Sequence, residues 1–563
     1  MQTARRLYMY LMSGVTLGVL LVGLNSLLTV TFHAAGIGRG DRLGGTADDR
    51  QQLSLAIALI VVGLIVWTIH WLLVERSMRA DNPARDEERG SAVRALYLTI
   101  VLTALLAFGV LAGIQLLTEL ARRMVGFVDT DGFFTNDLGG SLATLLVTAA
   151  AWAYHAAIRR RDLSGTALSG AAAWIPRVYL YGAALLGLVL TSVNIGTLLS
   201  GVLADITGTV PDFGNVDFGG RVIADAAAGI IGWGIVMVGH WWYATSLIHD
   251  PGWRGTSERG ARLRLAYFVA AIGASAIAIV IFGTQALSTS IGLALGVDDL
   301  IASDGAPLAI GGPLLSLLPW IVAWWLHLRW MRAESMAAED PSRTATVDRL
   351  DSSVVSLVGL SAAAGGAGGL LGLLFDIALG GNRGDLDFWR ADVARWLALG
   401  VIGAVLWLWH WMRLQRRSAA SPVEEAGSTV RRAYLLIVVA VALITSLGNL
   451  AYLLYRFVSA ILQVDVTDNV ASQIALPLAA LVVAAALAIY HGLVLRRDQA
   501  LRGAAASALA QLEEAEASAQ PSVPTRRRLV LTGPPGTDLG ATVAAMRAAL
   551  GPDLRLEDEA PED

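Results

Sequence analysis

Long apolar segments alternate with short polar segments along almost the whole chain. Each apolar segment is about 20 residues or longer, and a helix that rises about 1.5 Å per residue needs that length to cross a hydrocarbon core about 30 Å thick. We predict twelve such helices, at residues 7–32, 53–74, 95–118, 140–158, 178–203, 222–247, 265–291, 307–329, 353–378, 395–413, 433–460 and 472–495. The pattern therefore predicts an all-α, polytopic membrane protein whose surroundings are the lipid bilayer.

The composition agrees with this prediction and removes several kinds of chemistry. Hydrophobic residues make up 55% of the 563 residues and charged residues 16%. The mean hydropathy of +0.58 is higher than that of ordinary soluble domains. Cysteine is absent from the sequence. Disulfides, thiolate metal sites, iron–sulfur clusters and cysteine nucleophiles are thereby excluded.

Arginine is concentrated in alternate loops, which predicts the orientation of the helices. Dense arginine segments follow the second, fourth and tenth apolar segments, at residues 76–89, 159–161 and 413–417. Basic residues in short loops stay on the cytoplasmic side of a membrane. We therefore expect a multi-pass protein of a bacterial cytoplasmic (inner) membrane, with both termini in the cytoplasm.

A histidine recurs at intervals of roughly 84 residues, near the cytoplasmic end of every second helix. A fixed period indicates one structural unit copied in tandem. In four copies the local pattern is Trp-x-x-His, whereas Met237 and Ala488 take the tryptophan position in the third and sixth copies. We predict six parallel hairpin repeats at residues 1–92, 93–175, 176–260, 261–346, 347–429 and 430–498, followed by a cytoplasmic tail at 499–563.

The first helix of most hairpins begins with an Arg-x-x-Tyr pattern on the same side of the membrane. The pairs are Arg5/Tyr8, Arg94/Tyr97, Arg264/Tyr267 and Arg431/Tyr434, with Arg177/Tyr179 as a variant. The fifth hairpin has Arg349 followed by Asp351, Ser352 and Ser353. Tyrosine and histidine rings should therefore meet in one cytoplasmic layer, within a hairpin or between adjacent hairpins. The residues of this repeated interface signature are Tyr8, His70, Tyr97, His155, Tyr179, His240, Tyr267, His327, His410, Tyr434 and His491.

Three interpretations of the repeated histidines remain open at the level of sequence. A buried imidazole needs hydrogen-bond partners, which favours a structural clamp between helices. Histidine also titrates in the physiological range, so a proton-responsive switch is an alternative. Metal or haem ligation is the least favoured interpretation, because the copies are spread one per hairpin. We predict no catalytic, cofactor-binding or metal-binding residue and no cofactor.

A carboxamide stands near the outer end of the first helix in five hairpins. An amide in lipid needs a partner, so contact between neighbouring helices is the first interpretation. The alternative is an outward-facing polar site lined by several amides. Convergence on one cavity would favour transport, whereas separate local partners would favour a scaffold. The intramembrane amides are Asn25, Gln115, Asn194, Gln285 and Asn449.

The fifth hairpin lacks this amide and has a glycine-rich stretch in its place. The glycines are Gly365, Gly366, Gly368, Gly369 and Gly372. Two pairs of them have the small-xxx-small spacing that lets two helix backbones approach closely. We therefore expect the first helix of this hairpin to make a close contact.

The chain changes character after Arg497. We predict a short Ala/Glu helix at residues 503–516, a linker at 517–524, a strand at Leu529–Leu531, a glycine turn, a helix capped by Thr537 or Asp538, and a second strand near Leu554. A phosphate loop needs lysine followed by serine or threonine, where this chain has Leu539 and Gly540. We therefore expect no nucleotide and no nucleic acid as a partner.

The Arg-x-x-Tyr start, the hairpin of two crossings and the Trp-x-x-His end resemble a bacterial multi-pass membrane family known only as a domain of unknown function. The resemblance covers residues 4–497 and implies membrane residence, but no activity. The central parts of the predicted helices contain no Asp, Glu or Arg, which ion-coupled carriers place deep in the bilayer. We expect a non-enzymatic structural or sensory membrane protein. The alternatives are a channel or carrier for an apolar or weakly polar solute, or a lipid-binding protein.

Overall fold

The computed structural model describes most of the chain. The described residues are 2–37, 46–79, 85–124, 138–164, 167–209, 218–297, 305–336, 341–380, 386–462, 470–519 and 529–550. Two compact units are distinguished, residues 1–501 and residues 502–563. All regular structure in the described residues is helical.

Among the described residues, twelve long helices are apolar and long enough to span a membrane, which confirms the prediction from the hydrophobic pattern. Every predicted segment lies inside one of them. They are α1 (Gln2–Ala34), α2 (Thr46–Arg76), α4 (Ala92–Met124), α5 (Leu138–Leu163), α6 (Gly170–Thr207), α7 (Phe218–Ile248), α9 (Arg262–Ala294), α10 (Gly305–Met336), α11 (Pro341–Ala378), α12 (Leu386–Ala420), α14 (Thr429–Ile461) and α15 (Val470–Ala519).

Three short helices connect successive hairpins, and each precedes the start of a long helix by a few residues. They are α3 (Arg85–Arg89), α8 (Trp253–Arg259) and α13 (Pro422–Gly427). Each contains a buried glutamate, at Glu88, Glu258 and Glu425. The short helices thus recur after the first, third and fifth hairpins.

Packing between hairpins repeats with a period of two hairpins. Helix α1 packs against α5, and α6 packs in the same way against α10. Helix α4 packs against α6 and α7, and α9 packs equivalently against α11 and α12. We therefore define module 1 as α1–α5, module 2 as α6–α10 and module 3 as α11–α15. Each module contains four long helices and one short one.

Two helix backbones approach each other closely in the fifth hairpin, between α11 and α12. A Cβ atom on Gly366 would lie 2.3 Å from the amide nitrogen of Gly400, and one on Gly403 would lie 2.3 Å from the amide nitrogen of Ala363. A Cβ atom on Gly368, in the predicted glycine-rich stretch, would have no atom within 4 Å beyond the backbone of its own helix. Glycine is therefore required at Gly366 because another helix backbone occupies the space of a side chain.

The tail differs from its prediction in two respects. The Ala/Glu helix at 503–516 is continuous with the last spanning helix, because α15 runs to Ala519 through strong helix formers. Leu529–Leu531 forms no strand in the described part of the tail, since a lone strand has no partner for its backbone groups. Helix α16 (Leu539–Ala549) begins where expected, and the Asp538 side chain accepts a hydrogen bond from the Ala541 amide at 3.1 Å. The linker residues 520–528 and the second predicted strand near Leu554 lie outside the described residues.

Candidate functional site

All six repeated histidines are fixed to their own helices in the same way. In each, Nδ1 lies 2.7 to 3.0 Å from the carbonyl oxygen four residues earlier. A carbonyl oxygen only accepts hydrogen bonds, so Nδ1 must be the protonated nitrogen that donates. In a neutral ring, Nε2 is then left as an acceptor that faces away from the helix.

A tyrosine from the first helix of the same hairpin approaches this acceptor. The hydroxyl oxygen lies 3.0 Å from Nε2 in Tyr179/His240, 2.9 Å in Tyr267/His327 and 3.5 Å in Tyr8/His70. In the second and sixth hairpins the rings of Tyr97/His155 and Tyr434/His491 are in contact, with centroids 6.2 and 6.0 Å apart. The structure therefore brings these signature residues together within hairpins.

The fifth hairpin has a carboxylate in place of the tyrosine hydroxyl. Asp351 is buried and accepts a hydrogen bond from Trp324 Nε1 at 3.3 Å. The Trp324 ring packs against His410, with ring centroids 5.7 Å apart. His410 is thus enclosed by a tryptophan and an aspartate rather than by a tyrosine.

Two of the four tryptophans of the Trp-x-x-His pattern, Trp152 and Trp324, connect modules. Trp152 at the end of module 1 donates from Nε1 to the Tyr179 hydroxyl of module 2 at 3.0 Å. Trp324 makes the equivalent bond from module 2 to Asp351 of module 3. The sequence analysis identified these tryptophans but assigned them no partner. The partner of each of these two tryptophans lies in the first helix of the next module.

Two sets of arginine–carboxylate pairs hold the same end of each module, and sequence reasoning missed both. The first joins the start of a module to its short helix, as in Arg6/Glu88 and Arg177/Glu258, with Nε to oxygen distances of 2.8 Å. Arg349/Glu425 is the third copy, at 2.9 Å. Arg6, rather than the exposed Arg5 of the Arg-x-x-Tyr pattern, is the counterpart of Arg177 and Arg349, because Arg6 makes the ion pairs.

The second set lies inside the later hairpin of each module. Arg94 Nε donates to Asp162 Oδ2 at 2.6 Å, and both side chains are 1% exposed. Arg264/Glu334 and Arg431/Asp498 are the equivalent pairs, at 2.9 and 2.7 Å. Each arginine is therefore buried with a carboxylate in hydrogen-bond contact, and of the three carboxylates only Glu334 is partly exposed, at 24% of its side chain.

A second tyrosine connects the two sets in modules 1 and 2. The Tyr10 hydroxyl donates to Glu88 Oε1 at 2.7 Å and accepts from Arg94 Nη1 at 3.1 Å. In module 2 the Tyr181 hydroxyl contacts Glu258 and accepts from Arg264 Nη1 at 3.2 Å. The two ion pairs and the tyrosine thus form one buried polar network at the end of the module.

These networks leave a signal in the sequence that differs from the histidine period. Equivalent arginines recur roughly every 170 residues, as do the glutamates of the short helices. The odd and even hairpins therefore start differently. The first hairpin of modules 1 and 2 begins with Arg-x-Tyr-x-Tyr, whereas the second hairpin of every module begins with Arg-x-x-Tyr. The six hairpins are of two alternating kinds.

The intramembrane amides do not meet in one place. Asn25 accepts from Thr144 and Gln115 accepts from Ser141, both on α5, at 2.9 and 3.3 Å. Asn194 and Asn449 donate to the carbonyl four residues earlier on their own helices, at 2.7 and 2.8 Å. Gln285 is exposed on α9. This arrangement corresponds to the scaffold interpretation.

A cavity of about 750 Å³ lies where modules 1 and 2 meet, between α4, α5, α6 and α7. Its walls are largely formed by leucine and aromatic side chains, with four glycines along α4 and α7. The charged lining residues lie together at one end, at the end of α5, the start of α6 and in α8: Arg159, Arg160, Arg177, Arg254 and Glu258. Of the repeated signature, Tyr179 and His240 line this cavity. The cavity is therefore apolar along its length and basic at its end.

Arg159 is the most enclosed of these basic residues. It is 8% exposed, and its Nε atom has no hydrogen-bond partner among the described residues. Its Nη2 atom lies 3.5 Å from the Ala172 carbonyl oxygen. A buried guanidinium with an unused donor in a cavity wall is suited to bind an anionic oxygen.

Comparison with known proteins agrees with the period of two hairpins. Residues 6–150, 177–322 and 349–486 each match the model of a domain of unknown function, DUF5671, and together they cover more than half of the chain. Each matched segment begins in the first long helix of one module and ends within the fourth. No curated protein and no solved structure matches the chain.

Proposed function

Because the chain belongs to the DUF5671 family, whose function is unknown, we propose a function from the geometry of the cavity. The protein is an integral membrane protein that binds an anionic amphiphile, of the acidic phospholipid type, between modules 1 and 2. The observation that carries this proposal is an apolar cavity with a buried, incompletely paired Arg159 at its basic end. The role is binding rather than catalysis.

The dimensions and charge of the cavity support this ligand class. Its lining follows α4 from Thr99 to Leu117, which is about 27 Å of helix at about 1.5 Å per residue and comparable to the hydrocarbon core of a bilayer. Three arginines besides Arg159 surround the end of the cavity, against one glutamate, Glu258. Since Arg177 is paired with Glu258, the net charge that a headgroup would meet is positive. An acyl chain with an anionic headgroup fits both properties.

The local pairing of the amides supports a binding scaffold over a polar transport path. A ligand at a junction between modules would also contact the elements that hold the modules together, since Trp152 and Tyr179 line the cavity. Occupancy would then affect packing between modules, which is the physical basis for a sensory role.

The proposal is tested by lipid retention in native mass spectrometry of the purified protein. We expect phosphatidylglycerol to be retained about tenfold more strongly than phosphatidylcholine of the same acyl chains. Both lipids offer a phosphate to Arg159, but the choline cation of phosphatidylcholine is repelled by the arginines at the end of the cavity, and a difference of about 1.4 kcal/mol is tenfold in affinity. Arg159→Gln should remove most of this preference. Arg416→Gln is the control, because Arg416 is exposed and does not line the cavity.

A second pair of variants tests the apolar part. Gly239 lines the cavity, and a side chain added there would meet open space. Gly239→Leu should therefore fill part of the cavity and lower retention of the lipid without a backbone clash. Gly234 also has open space but does not line the cavity, so Gly234→Leu is the matched control. Equal retention by the two leucine variants, or equal retention of the two lipids, would contradict the proposal.

We further propose that the protein resides in a cytoplasmic membrane with both termini in the cytoplasm. The arginine-rich loops and the arginine–carboxylate networks lie at the same ends of the helices, which supports this orientation. Topology reporters fused at residue 85 and residue 45 should give cytoplasmic and external signals respectively. The same signal at both positions would show that the orientation is wrong.

A further inference from the structure

Module 3 lacks the tyrosine that completes the buried network in modules 1 and 2. Counting from the first arginine of each module, Tyr10 follows Arg6 and Tyr181 follows Arg177 by four residues. Ser353 takes this position after Arg349. The serine is 6% exposed and so occupies the same buried region of the module. A hydroxyl remains, but it is on a much shorter side chain.

The partners of the missing phenol are retained in module 3. Glu425 is 3% exposed and uses Oε1 for its contact with Arg349, and Arg431 is 2% exposed and uses Nε for Asp498. Arg431 Nη2 donates to Gln415 at 3.1 Å. Glu425 and Arg431 thus keep the ion-pair contacts of their counterparts in modules 1 and 2 and lack only the contacts that the tyrosine hydroxyl makes there.

Three buried polar atoms at the positions of this network in module 3 have no hydrogen-bond partner among the described residues. They are Ser353 Oγ, Glu425 Oε2 and Arg431 Nη1. In module 1 the atoms equivalent to the last two are held by one phenolic hydroxyl, which donates to the glutamate and accepts from the arginine. The three atoms in module 3 are therefore one acceptor, one donor and one group that can act as either. Leaving such atoms unpaired in a protein interior is costly.

We infer that module 3 contains a solvent-binding site in which a bound water takes the role of the Tyr10 and Tyr181 hydroxyls. The water donates to Glu425 Oε2, accepts from Arg431 Nη1 and exchanges a hydrogen bond with Ser353 Oγ. A buried water typically makes about three hydrogen bonds, which is the number of atoms available here. The site lies beside Tyr434, because the phenol ring in modules 1 and 2 packs on the equivalent Tyr97 and Tyr267 at centroid distances of 5.2 and 5.6 Å.

The site is distinct from the cavity between modules 1 and 2, which is lined by residues of those modules only. In module 3 the hydroxyl group belongs to a water that can exchange with solvent, whereas in modules 1 and 2 it belongs to a tyrosine side chain. Small hydroxyl compounds are the ligand class that would compete with the water, because they offer the same donor and acceptor.

Two aromatic variants test the inference by differing in one hydroxyl. Ser353→Tyr should restore the contacts of modules 1 and 2, whereas Ser353→Phe should occupy the same volume, displace the water and leave Glu425 and Arg431 unpaired. We expect Ser353→Tyr to melt about 5 °C or more above Ser353→Phe in the same lipid nanodiscs. Tyr10→Phe in module 1 measures the contribution of the same hydroxyl in its native setting and should lower the melting temperature by a similar amount.

A high-resolution cryo-electron-microscopy map of the native protein provides an independent measurement. We expect density for solvent within hydrogen-bond distance of Glu425 Oε2 and Arg431 Nη1 in module 3. No such density should separate Glu88 from Arg94, where the Tyr10 hydroxyl lies. The inference is wrong if a protein side chain fills the position in module 3, or if the tyrosine and phenylalanine variants melt at the same temperature.

Discussion

Alanine at Gly366 is expected to lower the free energy of unfolding by about 3 kcal/mol or more, because a single methyl group would overlap another helix. The new Cβ would lie 2.3 Å from the Gly400 amide nitrogen, 2.4 Å from the Gly400 Cα and 2.6 Å from the Trp396 carbonyl oxygen. All three atoms belong to the backbone of α12 and cannot rotate away. The two helices of the fifth hairpin would have to separate, and the melting temperature in lipid nanodiscs should fall accordingly.

Gly368 supplies the matched control for this prediction. It lies in the same helix two residues later, and a Cβ atom added there would meet no atom within 4 Å beyond the backbone of its own helix. Gly368→Ala should leave the melting temperature nearly unchanged or raise it slightly, since alanine is the better helix former. Similar melting temperatures for the Gly366 and Gly368 variants would mean that α11 and α12 are not in backbone contact.

Removal of the Arg94 guanidinium is expected to produce the second large effect. Arg94 and Asp162 are both 1% exposed, and Arg94 also donates to the Tyr10 hydroxyl and to Glu75. Arg94→Met keeps much of the side-chain volume but leaves Asp162 as a buried carboxylate without this partner. Loss of one member of a buried ion pair costs about 3 to 5 kcal/mol, so we expect a large decrease in thermal stability.

The double variant Arg94→Met/Asp162→Leu distinguishes loss of charge pairing from loss of packing. Because it removes both charges, it should recover part of the stability lost in Arg94→Met. Arg5→Met is the control for a basic residue that is exposed at the same end of the protein. A double variant that is less stable than Arg94→Met alone would show that uncompensated charge is not the cause.

The hydrophobic pattern predicted the twelve spanning helices, because the bilayer sets the length and polarity that each must have. The spacing of tyrosine and histidine predicted their layer as well, since both motifs recur at helix ends on one side. The pairing within hairpins was left open. It depends on helix rotation, which fixes the direction of the His327 ring toward Tyr267 and is not encoded in spacing alone.

The arginine–carboxylate networks escaped prediction for a different reason. Arg6 and Glu88 are 82 residues apart, and Arg94 and Asp162 are 68 apart. A single carboxylate in a short helix, such as Glu88, or near the end of a long helix, such as Asp162, has no local pattern that identifies its partner. Only the recurrence of the same charges every second hairpin could have indicated that Arg6 rather than Arg5 begins the module.

The cavity was equally invisible in the sequence, because it results from how α4 and α7 meet rather than from a motif. Its glycines, such as Gly109 and Gly239, are ordinary residues of membrane helices when taken one at a time. The departure of the fifth hairpin was visible as Asp351, Ser352 and Ser353. Its consequence for Glu425 and Arg431 required the equivalent tyrosines of the other modules to be located first.

The indole bonds between modules have a consequence for how such a protein can be assembled by duplication. Each junction uses a donor from the last hairpin of one module, such as Trp152, and an acceptor from the first hairpin of the next, such as Tyr179. One segment that carries both groups therefore needs no further substitution to bind a copy of itself placed directly after it. Tandem duplication of such a segment would create its internal interface in the same event, and the direction of the bond would order the copies head to tail.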